Sequence, residues 1–395
     1  MGQPKIMIIL GTRPEAVKLA PVIHHLEYYR HELKTCIVAT AQHRLMLDQV
    51  LEIFHIEPDH DLDLMLPNQS LAEITVRTLS GLDDLIRSEC PDLILVQGDT
   101  TTALVGGLAA FYHQIPIGHV EAGLRTGSKY NPFPEEINRH FLDVMADLCY
   151  APTQSAKETL LAEGIPETRI LVTGNTVVDA LLVTAPQLHE FTVPALRQLD
   201  FRPPHRTLLV TAHRRESLGA PLRGICLALR DLVVLSEELQ VVFPVHLNPK
   251  VREIVWPILG DMERVRLIEP VNYPDFVHLM KSVDLIMSDS GGVQEEAPTL
   301  GVPVLVIRDT TERPEGIDAG AARLVGTNRE EIIATVLQLL DNPNEYRQMQ
   351  RAINPYGDGN AAERIVDSIR HFFGLLVSLP MPFQAKLRQP NSIKI

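Results

Sequence analysis

The chain has 395 residues, more than one ordinary hydrophobic core holds and a fit for two domains of roughly 150–200 residues each. With 45% hydrophobic and 22% charged residues it has the make-up of a soluble globular protein, and a formal net charge of −14 excludes the broad basic face that a nucleic acid or an anionic membrane demands. Cys36, Cys90, Cys149 and Cys226 form no CxxC pair and read as free thiols. The first apolar run is too short for a signal peptide, and no window reaches the ~18 apolar residues of a membrane span, so the expected location is the cytoplasm.

Taken in chain order, KIMIIL (5–10) predicts a buried strand, and a helix from about Pro14 to Tyr29 follows. Strands are predicted at 34–40, 92–98, 115–121 and 147–152, with helical spacing over 71–88 and 102–113 between them. The pattern restarts with strands at 206–212, 239–245, 284–290 and 303–308. Continuously apolar strands alternating with helices mean parallel sheets covered on both faces. Two doubly wound α/β units are therefore expected, residues 1–178 and 179–359, with the joint in the proline-dotted stretch 175–200.

In such sheets ligands bind beyond the carboxyl ends of the strands, where this chain places unusual residues. GTRPE (11–15) puts Arg13 at a helix start, where free N–H groups favour an anion, or simply in a surface turn. It is not GxGxxG, so no dinucleotide fingerprint appears there. In QGDTTT (97–102) Asp99 fits as the N-cap of the next helix or as an acid facing a cleft. HVEAG (119–123) repeats the design with Glu121, which no following helix needs as a cap. PFPEEINRH opens a helix with Pro134 at its first position. Glu135 and Glu136 then favour the dipole, and Glu136 is placed to pair outward with Arg139 or His140.

The second half answers with cations and glycines. TAHRRES (211–217) groups His213, Arg214 and Arg215 at a strand end. SDSGGVQEE (288–296) offers Ser290, Gly291 and Gly292, whose amides can wrap a diphosphate, with Glu296 a turn further on to accept from ribose hydroxyls. RDTTERPEG (308–316) adds Arg313. Acids in one half and phosphate-binding groups in the other suit a nucleotide-diphosphate sugar held in a cleft. Metal binding is not expected. Asp61 and Asp63 form a DxD far from these strand ends, and His24, His25 and His31 lack HExxH spacing.

These motifs together, with NPYGDG (354–359), resemble the non-hydrolysing UDP-N-acetylglucosamine 2-epimerases over about residues 5–370. The resemblance implies the GT-B architecture, two Rossmann-like domains facing across a cleft, with the helix near 360–376 returning to the first domain. The segment 377–395 has no counterpart and is expected to be disordered. It implies Asp99, Glu121, Glu135 and His213 as catalytic residues. Arg13, Lys18, Arg214, Phe276, Ser290, Gly291, Gly292, Glu296 and Arg313 would bind the UDP-sugar. Many bacterial members bind a second UDP-GlcNAc as activator, for which Gln42, Glu136 and His246, beside Arg214, are the candidates.

The implied reaction inverts C2 of UDP-GlcNAc to give UDP-ManNAc, a precursor for cell-surface polysaccharide. The C2 proton is barely acidic, so the sugar must either be oxidised at C3, which needs NAD, or lose UDP from C1. The family is held to take the second route, through 2-acetamidoglucal, with no NAD and no metal. A departing diphosphate wants cations and amides, and proton transfer on two faces wants more than one carboxylate. The resemblance also implies a homodimer. The rivals are an epimerase for another UDP-sugar such as a 2,3-diacetamido uronic acid, a GT-B glycosyltransferase, and a non-catalytic sensor.

Overall fold

Runs of isoleucine, valine and leucine build two separate sheets in this computed structural model, which describes residues 2–40, 44–64, 69–214 and 217–385. The first sheet comprises β1 (Lys5–Leu10), β2 (Lys34–Ala39), β3 (His60–Asp61), β4 (Leu93–Gln97), β5 (Ile117–Val120), β6 (Leu148–Ala151) and β7 (Ile170–Val172), in the order β3-β2-β1-β4-β5-β6-β7. The second comprises β8 (Arg206–Thr211), β9 (Leu239–Pro244), β10 (Val265–Ile268), β11 (Leu285–Ser288), β12 (Val304–Val306) and β13 (Ala322–Leu324), in the order β10-β9-β8-β11-β12-β13. The strand pairings are parallel throughout the described residues.

Burial explains the composition. Ile6, Met7, Ile8 and Leu10 of β1 are fully buried, because helices cover both faces of a parallel sheet. Each such side chain contributes about 1.5–3 kcal/mol relative to exposure. The strands that the sequence reading does not predict are β7, β10 and β13, of three to four residues each.

The chain divides into two compact units, one of Met1–Ala180 with Tyr356–Gln384 and one built on Leu181–Pro355. The division falls inside the helix Thr176–Thr184, in the stretch where the sequence shows no sustained period. In the first unit the helix Ala361–Phe372 is capped by a residue distant in sequence, since Asp179 Oδ1 accepts the Ala362 N–H at 2.8 Å. Burial, the largest influence, pushes the Asp179 carboxyl up to about 6. Arg370 of that helix bonds Glu32 at 2.8 Å and lies 4.0 Å above the Tyr29 ring. The expectation of disorder from 377 onward does not hold for 377–385. Phe383 is buried and its N–H donates to Val172 O at 2.8 Å, extending the edge at β7. Residues 386–395 lie outside the described residues.

Candidate active site

In each sheet the strand order reverses beside the first strand, between β1 and β4 and again between β8 and β11. Chain leaving such a pair at its carboxyl end diverges to opposite faces and opens a crevice.

In the first unit that place is occupied by GTRPE and QGDT. Gly11 follows β1, and a Cβ there would lie 2.6 Å from Thr102 Oγ1, so only glycine lets the two turns approach. Arg13 begins the helix Arg13–Tyr28 and is exposed. Glu15 does more than complement a dipole. It is buried and accepts from the backbone N–H groups of Gly11 at 2.8 Å and Thr12 at 2.6 Å, and from the Thr100 hydroxyl. It pins the first turn to the fourth-strand loop. Burial raises its pKa, against the pull of those donors.

Asp99 is not the N-cap that the sequence allows. Thr100 takes that position, its hydroxyl accepting Ala103 N–H at 3.0 Å. Asp99 is thereby released to form an ion pair with Arg139, and Asn138 donates to its carbonyl at 2.9 Å. Glu121 is buried just past β5 with φ of 71°, a conformation costly for a side-chain-bearing residue and frequent at functional positions. Its carboxylate accepts from Lys18 Nζ, from Gln97 Nε2 at 2.6 Å and from Asn175 Nδ2 at 3.1 Å. Arg139 Nη2 lies 3.8 Å away, and Arg139 Nη1 donates to the Glu121 carbonyl.

The helix Glu135–Met145 starts one residue later than expected, with Pro134 as its N-cap residue. Glu135 stands half-buried at its first position. Glu136 does not pair with Arg139. It is buried and accepts from the N–H groups of Thr126 at 3.1 Å and Gly127 at 3.0 Å, with His140 3.8 Å away. Its carboxylate closes the loop that leads from Glu121 to Glu135. The DxD acid Asp61 turns onto its own backbone, accepting Asp63 N–H at 2.9 Å.

The second unit gathers cations. His213 follows β8, and the buried Asp289 after β11 accepts the N–H groups of His213 and Arg214 at 2.8 Å each. The His213 ring nitrogen Nδ1 lies 3.2 Å from the other Asp289 oxygen. Burial, the largest influence, would raise the Asp289 carboxyl, but His213 and the two amides hold it below its ordinary value. The rings of His213 and His246 stack 5.5 Å apart. Arg214 bonds Glu312 at 2.9 Å.

Glu312 is a hub that sequence reasoning missed. It meets Arg214, Arg308 at 2.5 Å and Arg313 at 3.0 Å. Burial disfavours its charge, yet the three guanidinium groups depress its pKa to about 2. Arg313 also donates to Glu295 at 2.9 Å, and a Cβ at Gly291 would lie 2.8 Å from the Arg313 guanidinium carbon. The guanidinium therefore sits against the start of the helix Gly291–Leu300, capped by Ser290, whose first N–H groups lack intrahelical partners. Glu296 accepts from the Tyr273 hydroxyl at 2.9 Å, and Phe276 packs on the core beneath.

Structure thus brings Lys18, Asp99 and Glu121 into one network, and His213, Arg214 and Arg313 onto a framework of buried acids. Gln42 lies outside the described residues, as does Arg215. The residues that reasoning from sequence missed are Gln97, Arg139, Asn175, Asp289, Glu295 and Glu312. Gln97 and Asn175 do follow the strand-end rule, being the last residue of β4 and an asparagine soon after β7.

Two parallel Rossmann-like α/β sheets make this a protein of the GT-B type, as in the solved structures it matches. The family model for UDP-N-acetylglucosamine 2-epimerase matches residues 27–370, and the chain belongs to that family. It is 51% identical to the Bacillus subtilis UDP-N-acetylglucosamine 2-epimerase, over 98% of this chain and 100% of the relative. It is 50% identical to the Escherichia coli K12 enzyme of that name, over 93% and 98%. The structure of the Neisseria meningitidis UDP-GlcNAc 2-epimerase bound to UDP-GlcNAc matches with a TM-score of 0.88 at 46% identity, over 93% of this chain and 100% of that one.

Proposed function

We propose that the chain interconverts UDP-N-acetylglucosamine and UDP-N-acetylmannosamine by anti elimination of UDP, formation of 2-acetamidoglucal, and re-addition of UDP. Family membership gives the class of enzyme, an isomerase acting on a nucleotide sugar. One observation carries the assignment of the chemistry. Glu121, buried past β5 at a positive φ, is gripped by Lys18, Gln97 and Asn175, a strained and tightly specified setting of the kind that clusters at functional sites.

In this reading the first unit works on the sugar. Glu121, with donors on both oxygens, suits an ionised carboxylate that steadies positive charge as the C1–O bond breaks or removes the C2 proton. Asp99, held by Arg139, and Glu135 complete the set needed to move a proton off one face and back to the other. The second unit holds the leaving group. The amides of Gly291 and Gly292 with Arg313 receive the diphosphate, His213 assists departure, Phe276 packs on the base, and Glu296 accepts from the ribose. Arg13 and Arg214 add positive charge. The route needs no NAD and no metal in the reaction.

Further parts of the reading are a cytoplasmic homodimer and an activator UDP-GlcNAc near His246, whose exposed ring stacks on His213. Four free cysteines support a reducing compartment, and among the described residues no helix is long and apolar enough to cross a membrane. The test is proton NMR of the purified protein with UDP-GlcNAc alone in deuterated water. Appearance of the manno epimer with deuterium at C2 is expected. A product without deuterium ends the proton-transfer scheme, and no product without an added acceptor favours a glycosyltransferase.

A further inference from the structure

At the other end of the first sheet, where the strands begin, lies a second cluster that the proposed reaction does not use. Among the described residues, Cys36 of β2, His60 of β3 and Glu89, the last residue of the helix Leu71–Glu89, bring a thiol sulfur, an imidazole nitrogen and a carboxylate oxygen within 4.8 Å of one another. These groups line an open pocket of about 320 Å³, together with Lys5, Arg30 and Asp59. We propose that Cys36, His60 and Glu89 form a binding site for a zinc-class divalent ion, with water as the fourth ligand.

Three different donor types, sulfur, nitrogen and oxygen, suit zinc and its neighbours rather than magnesium or calcium, which prefer oxygen alone. The competing explanation is a plain hydrogen-bond network. His60 Nε2 meets Glu89 Oε1 at 3.0 Å, and Lys5 Nζ meets Glu89 Oε2 at 3.0 Å. Cys36 is buried and packs with the core of the first sheet, yet it also lines the pocket and its sulfur lies within 4.8 Å of the imidazole and the carboxylate, a place that this network does not use. The network divides the carboxylate usefully. Lys5 holds Oε2 and, at 2.6 Å, the Glu89 carbonyl, so it can stay in place as the outer partner that orients the ligand. Oε1 then exchanges its bond to the imidazole for one to the ion.

The thiol S–H bond breaks, a sulfur–metal bond forms, and the proton goes to solvent, so binding releases one proton and involves no redox change. The His60 and Glu89 ligand atoms are already 3.0 Å apart, and the sulfur of Cys36 must approach them by about 1 Å to reach zinc bond lengths. His60 is able to make up this distance, because it stands half-buried on an edge strand of two residues. The ion would tie β2, β3 and the end of the helix Leu71–Glu89 together, a staple for a weakly held sheet edge.

The experiment uses the full chain, stripped with a chelator and titrated with Co²⁺ and with Zn²⁺. One equivalent of Co²⁺ is expected to give a near-ultraviolet sulfur-to-cobalt charge-transfer band. The band should vanish in Cys36→Ser and persist in Cys90→Ser, the exposed cysteine next in sequence to Glu89. Zinc should raise the Tm of the parent protein but not that of His60→Ala, whose side chain lies at the pocket mouth rather than in the core, and His60→Ala should weaken zinc binding on the order of tenfold or more. No band, a band that survives Cys36→Ser or is lost only in Cys90→Ser, or an equal Tm rise in His60→Ala overturns the proposal.

Discussion

The carboxyl ends of the two sheets share a topology and differ in polarity. Beyond β1, β4 and β5, carboxylates lie at the strand ends with cations paired to them: Lys18 on Glu121, Arg139 on Asp99. Beyond β8, β11 and β12 the relation inverts, and buried acids support the cations. Asp289 sets the His213 and Arg214 backbone, and Glu312 with Glu295 holds Arg214, Arg308 and Arg313. One fold therefore makes two kinds of site. The strand order supplies the location in both units, and in the proposed reaction the sign of charge gathered there decides whether protons or phosphates are handled.

This contrast can be broken most sharply at Glu121. Changing it to Gln keeps the size, removes the charge and turns one of its two accepting oxygens into a donor. In the first unit that should cost about 10²–10⁴-fold in kcat with KM little changed, read from initial rates and from deuterium uptake at C2. Near-normal turnover would remove Glu121 from the catalytic set. Lys18→Met removes the nearer of two cations from the buried Glu121 carboxylate, with Arg139 left 3.8 Å away, and a loss of about 3 kcal/mol or less in stability is expected from urea unfolding, alongside a fall in kcat.

In the second unit Glu312→Gln should act on binding instead. Loss of the hub loosens three guanidinium groups, and the Kd for UDP should rise about tenfold, measured by calorimetry, while kcat changes less. The same substitution carries a pH signature. The folded pKa of Glu312 is about 2 against an ordinary 4.5, so its contribution to stability is full above pH 4.5 and is lost as the pH falls toward 2. Glu312→Gln should flatten that acid limb.

A second pH effect lies at Asp179, which accepts the Ala362 N–H at the start of the Ala361–Phe372 helix. Its folded pKa is raised, from 3.8 to about 6, so the sign reverses: the folded state keeps its proton longer, and stability declines as the pH rises from 3.8 through 6. Asp179→Asn should remove that slope. An unchanged slope would mean that the carboxyl is more solvated than its place under the Ala361–Phe372 helix implies.

Particular residues mark what local pattern can reveal. Periodicity located the long strands because burial on both faces leaves an unbroken apolar run, as in β1 and β4. Asp99, Glu121, His213 and Ser290 do stand just beyond β4, β5, β8 and β11, because the ends of such apolar runs are visible in one dimension. Of the two readings open for Asp99, the N-cap is excluded, because Thr100 takes that position with an equally good side chain. For Glu136 local spacing finds His140, 3.8 Å away, but not the amides of Thr126 and Gly127, which become neighbours only when the loop folds back.

The sequence by itself determined the alternation of strands and helices, the existence of two sheets and the strand ends that carry reactive residues. These follow from the order of residues along the chain and from the burial that order demands. Which donors grip Glu121, which acid anchors three arginines, and how Cys36, His60 and Glu89 meet were decided only in the tertiary structure. Those partners come from separate segments, in Glu121's case residues 18, 97 and 175, and their charges act through space, which residue order does not encode.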